Sequence, residues 1–93
     1  MLEREVVVTG DAGIHARPAM MLVREAMKYE CSVKLIKDNT EADCKSIMSV
    51  LGLAIIPGSL LKVVADGVDE DKVINSIISM IETNFDLNNK ESM

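Results

Sequence analysis

The period of the hydrophobic pattern switches repeatedly along this 93-residue chain, and that switching restricts the fold more than any other feature. Across residues 31–37, Cys31, Val33 and Leu35 alternate with Ser32 and Lys34. A repeat of two suits a strand with one buried face. Upstream, the apolar positions 16, 19, 20, 23, 26 and 27 recur at helical spacing, with Arg24, Glu25 and Lys28 on the other side. Downstream, Val73, Ile74, Ile77, Ile78 and Ile81 form a second helical stripe that runs to about residue 84. Asp69 is placed to cap that helix, and Glu70 and Asp71 fall in its first turn, where the dipole favours acids.

The remaining segments fill the gaps. Residues 2–9 read as a strand that ends in Gly10-Asp11-Ala12-Gly13. Asp38-Asn39 turns the chain into a short strand through Thr40, Ala42 and Cys44, close enough to 31–37 to form a hairpin. Residues 46–51 fit a short helix with Ser46 as N-cap and Gly52 helping to end it. Pro57-Gly58 is a turn, residues 60–66 are an apolar strand interrupted by Lys62, and Gly67 turns the chain again. The order is β-α-β-β-α-β-α, which predicts a two-layer α/β fold, an open-faced β-sandwich with the helices on one face of one sheet. Residues 1–88 are expected to form a single domain and 89–93 a disordered tail.

Composition limits what such a domain does. Tyr29 and Phe85 are the only aromatics, so the core is aliphatic and methionine-rich. Residues 1–65 carry eight acids and eight bases, and the remainder carries seven acids against two bases. The net charge of −5 therefore belongs to the C-terminal part, while Arg17, Arg24, Lys28 and Lys45 make the neighbourhood of His15 locally basic. An acidic chain with few aromatics and no basic stripe argues against direct nucleic-acid binding. No apolar run approaches the ~18 residues of a membrane span, and the first residues lack a signal-peptide pattern, so no membrane insertion and a cytoplasmic location are expected. Cys31 and Cys44 stand far apart in sequence and read as free thiols; with one histidine they make no metal site. No cofactor is expected.

Two short motifs carry chemistry. Gly13-Ile14-His15-Ala16-Arg17-Pro18 holds the only histidine, at the point where an extended segment gives way to a helix. Backbone N–H groups at a helix start lack intrahelical partners, and the dipole favours negative charge there. That position keeps an imidazole neutral and nucleophilic, and Arg17 adds a fork of donors matched to phosphoryl oxygens. Pro18 is tolerated because an N–H in the first turn would be unpaired. From spacing alone, His15 is equally a phosphoryl acceptor or an ordinary polar residue at a helix start. Ser46 is likewise either a plain cap or a phosphorylation site at a helix terminus that tolerates a dianion. Beside it, Ile47, Met48 and Leu51 cannot all face the core of so short a helix, which leaves an apolar patch on the surface.

Gly13-Ile14-His15-Ala16-Arg17-Pro18-Ala19 resembles the phosphohistidine signature of the HPr family, the histidine-containing phosphocarriers of the bacterial sugar phosphotransferase system. Lys45-Ser46-Ile47-Met48-Ser49-Val50-Leu51 resembles that family's second signature, around its regulatory serine. The resemblance covers about residues 1–85 and implies a four-stranded antiparallel sheet in the order 1-4-2-3 with three helices on one face. It implies that His15 accepts a phosphoryl group through Nδ1 from phosphorylated enzyme I and passes it to enzyme IIA domains, with Arg17 assisting. The molecule is then a carrier rather than an enzyme with its own small-molecule substrate.

By the same resemblance Ser46 is phosphorylated by HPr kinase/phosphorylase, and the modified protein serves a catabolite-control transcription regulator. Met20, Arg24, Ile47, Met48 and Leu51 would form the partner-docking surface, and a monomer is expected. The alternative is an HPr-like regulatory module that acts mainly by protein binding controlled at Ser46. The sequence departs from the family pattern at Ala12, where a small polar residue is frequent, and at Ala54, where a glycine is frequent; Gly52 is a candidate to take over the role at 54.

Overall fold

A computed structural model describes residues 1–9 and 16–85. The elements run β1 (Leu2–Val7), α1 (Ala16–Ala26), β2 (Cys31–Lys37), β3 (Thr40–Asp43), α2 (Ile47–Leu51), β4 (Leu60–Gly67) and α3 (Glu70–Glu82). Strands β1, β4, β2 and β3 lie side by side in that order, and every neighbouring pair is antiparallel. The register follows from the period of two. Val6 opposes Leu61, Leu35 opposes Val63, and Val33 opposes Ala65, so each inward-pointing apolar residue meets another. The outward face is wet, with Lys62 reaching Glu3 at 3.7 Å and Lys34 reaching Glu41 at 3.5 Å. Such exposed pairs contribute little to stability.

The inner face of the sheet is covered by α1 and α3. Val6, Val33, Leu35, Leu61, Val63 and Ala65 are buried against Leu22 and Ala26 from α1 and Ile74, Ile77 and Ile81 from α3. Tyr29 and Phe85 sit half-buried at the margin, so aliphatic side chains do fill the core. Both cysteines are free and buried. The Cys44 Sγ lies 3.9 Å from the Leu22 carbonyl, and burial pushes its thiol up to about 12. Among the described residues no helix is long and apolar enough to cross a membrane.

Several expectations need correction. The strand predicted over 2–9 ends at Val7, although Val8 still donates to the Ser59 carbonyl at 2.9 Å and accepts from Gly58 at 2.7 Å. In α1 the predicted apolar face is rotated. Ala16, Met20 and Met27 are exposed, and Leu22, absent from the predicted stripe, is fully buried. Glu25 is half-buried at the junction with α3 instead of solvated. Asp69 occupies the cap position of α3 but makes no side-chain cap bond. Glu70 reaches back instead, accepting from the Gly67 N–H at 3.1 Å, and that bond holds its carboxyl below the usual range.

Gly67 is required by space as well as by its φ of 147°. A Cβ there would stand 2.5 Å from the Cys31 Cβ. Gly52 does not take the role expected of it. Its φ of −64° is right-handed, and Ala54 itself adopts the left-handed conformation at φ 52°. The expected disordered tail at 89–93, and with it the end of the domain at 88, lies outside the described residues.

Candidate functional site

The first turn of α1 begins at Ala16 and holds Arg17 and Pro18. It carries no acidic residue, so no carboxylate within the helix offsets the positive end of its dipole. Arg17 is exposed, and among the described residues no carboxylate lies within ion-pair distance of Arg17 or Arg24. His15 lies outside the described residues, as do Gly13 and Ala12. Among the described residues, then, neither the Arg17 guanidinium nor the start of α1 has a carboxylate partner.

The helix that carries Arg17 is anchored at its C-terminal end. The Glu25 carboxylate accepts from the Ser76 hydroxyl of α3 at 2.6 Å, from Lys28 Nζ at 3.0 Å and from the Tyr29 hydroxyl at 3.3 Å. Burial pushes this carboxyl up, but the bonds from Ser76, Lys28 and Tyr29 outweigh it and leave it below its ordinary value. Lys45 Nζ donates to the Tyr29 carbonyl at 3.0 Å, just past the end of α1. Lys45, read from the sequence as part of a diffuse basic neighbourhood, is thus tied to the backbone.

The second motif folds as expected. Ser46 is the N-cap of α2, with extended φ and ψ of −125° and 117°, and its Oγ accepts from the Ser49 N–H at 3.2 Å. The start of α2 is stitched further than the sequence suggested. Asp43 accepts the Lys45 N–H on Oδ1 at 2.9 Å, and the Asp43 N–H donates to Ser49 Oγ at 3.1 Å. This is a relative of the capping box, in which the side chain at the third helical position reaches back across the cap. At the other end Lys37 Nζ donates to the carbonyls of Ala54 at 2.9 Å and Leu53 at 3.3 Å, holding the left-handed residue in place. Spacing offered no signal for the Lys37 contact, because it joins β2 to a loop sixteen residues away.

Helices α1 and α2 pack against each other and present one face to solvent. Met48 is 78% exposed and Ile47 38%, while Val50 turns inward and Leu51 is half-buried against the core. Met20 is 43% exposed. A helix advances about 100° per residue, so Met20 lies on the flank of α1 away from Glu25 and α3, towards α2. Met27, two turns further on, continues the same flank just beyond the last helical residue and is 64% exposed. Met27 reads as core in the sequence because it lies four residues after the buried Val23, yet it shares the exposed flank of Met20, seven residues before it. Arg17 and Arg24 run in parallel on the outer ridge. Among the described residues no group of three or more His, Cys, Asp or Glu side chains is arranged to hold a metal ion.

Residues 2–83 match the family model of the PTS HPr component phosphorylation site. The chain is 37% identical over 84 residues to the phosphocarrier protein HPr of Mycoplasma capricolum, covering 89% of this chain and 94% of that one. It is 35% identical over 82 residues to the HPr-like protein Crh of Halalkalibacterium halodurans, covering 88% and 98%. Among solved structures, HPr-C-His from Thermoanaerobacter tengcongensis superposes with a TM-score of 0.88 at 34% identity, over 91% of this chain and 96% of that chain. Strand order, helix placement and sequence agree over nearly the whole length, and the chain belongs to the HPr family of phosphocarriers of the phosphotransferase system.

Proposed function

We propose that His15 is the phosphoryl-carrying residue, loaded by phosphorylated enzyme I and unloaded onto enzyme IIA domains of sugar permeases in the cytoplasm. The observation that carries this reading is the His15-Ala16-Arg17 run, which lies within the family match and places an exposed guanidinium at the start of α1. The neutral imidazole Nδ1 attacks phosphorus, and the donor's bond to phosphorus breaks as the N–P bond forms. Arg17 and the positive end of the helix dipole favour the dianion that results. The reverse sequence hands the group to the next acceptor. No bond is made or broken on a small substrate.

Met20, Arg24, Ile47, Met48 and Leu51 form the surface on which successive partners dock. Methionine suits a surface that serves several partners, because its flexible thioether adapts to each. A monomer presents that surface freely. Ser46 is a phosphorylation site for HPr kinase/phosphorylase, and the seryl-phosphorylated form binds a catabolite-control transcription regulator. A dianion on Ser46, beside Ile47 and Met48, repels an acidic partner approaching the same patch.

The likeness to an HPr-like protein Crh supports a second reading, a regulatory module whose output is binding controlled at Ser46. Retention of His15 favours the carrier. The discriminating experiment is sugar uptake in cells whose only HPr-like protein is this chain. Uptake is expected with the wild type and not with His15→Ala, and absence of uptake with both would favour the regulatory module.

A further inference from the structure

Sulfur is distributed unevenly over the two faces of this molecule. Met80 is buried in the core and Met21 is half-buried against it, whereas Met48, Met27 and Met20 stand exposed on the α1/α2 face. Met1 is also exposed, but at the opposite end of β1, where its ammonium meets Glu70 at 3.0 Å. Both cysteines lie on the inner side of the sheet, 8% and 0% exposed. Burial raises both thiols, so neither offers the thiolate that peroxides attack. Among the described residues the sulfur atoms open to an oxidant are therefore thioethers, and three of them share one face.

We propose that Met48, together with Met27 and Met20, is a reversible oxidation site through which peroxides weaken docking of protein partners on the α1/α2 face. The inference rests on the reading of that face as the partner-docking surface. In the step itself, one peroxide oxygen transfers to the thioether sulfur as the O–O bond breaks. The sulfur loses two electrons, the peroxide is reduced, and water (or an alcohol, from an organic peroxide) leaves. Methionine sulfoxide reductases return the thioether with electrons from a dithiol. The product is polar and chiral where the partner expects a pliable apolar group, and burying it without a hydrogen bond opposes binding. Met48 is two residues from Ser46, so oxidation and phosphorylation would act on the same patch by different chemistry.

The test uses the full chain and hydrogen peroxide. Peptide mass mapping is expected to find sulfoxide at Met48 and Met27 while Met80, Cys31 and Cys44 remain unmodified. Binding to enzyme I is then measured by calorimetry, each protein against its own untreated sample. Oxidised wild type is expected to show a roughly tenfold higher Kd, restored by the two reductases. The Met20→Leu/Met27→Leu/Met48→Leu variant is expected to show no change on treatment although Met1 still oxidises. Oxidation of either cysteine ahead of Met48, or an unchanged Kd with Met48 fully converted, overturns the proposal while leaving the docking surface intact. Failure of the untreated wild type to bind enzyme I removes the docking surface, and this site with it.

Discussion

At Ala54 the chain carries backbone strain that no property of the residue itself relieves. Its φ of 52° costs an L-residue roughly 1–2 kcal/mol, held in place by the Lys37 ammonium on its carbonyl. Replacing it by glycine loosens the unfolded chain, which offsets about 0.4–1 kcal/mol of the relief. Ala54→Gly is therefore expected to raise stability by about 0.5–1 kcal/mol, read as an increase in the denaturation midpoint by urea at unchanged slope. Ser46 works in the other direction. Its hydroxyl satisfies the Ser49 N–H of a five-residue helix, so Ser46→Ala is expected to cost about 1 kcal/mol and to speed hydrogen exchange at Ser49. The cap at Ser46 was legible because capping is local chemistry. The conformation of Ala54 was not legible from spacing, which marks where a turn falls and not which residue bends; only the glycine frequent at that position in the family pointed to it.

At the scale of elements, the strands were the easier reading. Cys31, Val33 and Leu35 point inward as the alternation requires; Val33 opposes Ala65, Leu35 lies between Val63 and Ala42, and Cys31 faces Gly67. The face of α1 was harder, since Met20 and Met27 are apolar and yet solvent-facing, and hydrophobicity alone cannot separate a core residue from an exposed one. The bond that orients α1 against α3, from Ser76 to Glu25, joins residues 51 apart and leaves no trace in a local window.

That bond has a pH signature. The Glu25 carboxyl is held below its ordinary 4.5, so its contribution to folding is complete above that value and fades as the pH falls below it. Glu25→Gln is expected to be less stable than wild type at neutral pH, by roughly 1 kcal/mol. The gap between the two proteins should narrow as the pH falls below 4.5, measured as the difference in thermal midpoints across an acid series. A gap that stays constant with pH would mean the carboxylate charge contributes nothing to the α1–α3 junction.

At the scale of the whole molecule, charge and sulfur are each sorted by region. The excess acids lie in the C-terminal third of the sequence, whereas α1 brings Arg17 and Arg24 to its outer ridge. The thiols are inside and three thioethers are outside, on the face formed by α1 and α2. This arrangement leaves one surface, apolar at its centre and basic along one ridge, next to the start of the helix that follows His15. The two-layer order was legible because seven segments of alternating period admit few topologies. The order β1-β4-β2-β3 was not readable from periodicity and came from the motif resemblance.

The central claim is that His15 is the atom bearer in transfer. Incubation of the chain with enzyme I and phosphoenolpyruvate, followed by mass mapping under neutral to alkaline conditions, tests it most directly. A single phosphoryl group is expected on the peptide containing His15, lost on brief acid treatment and absent from His15→Ala. A protein that stays unmodified beside fully phosphorylated enzyme I, or a phosphoryl group that persists in His15→Ala, would contradict it.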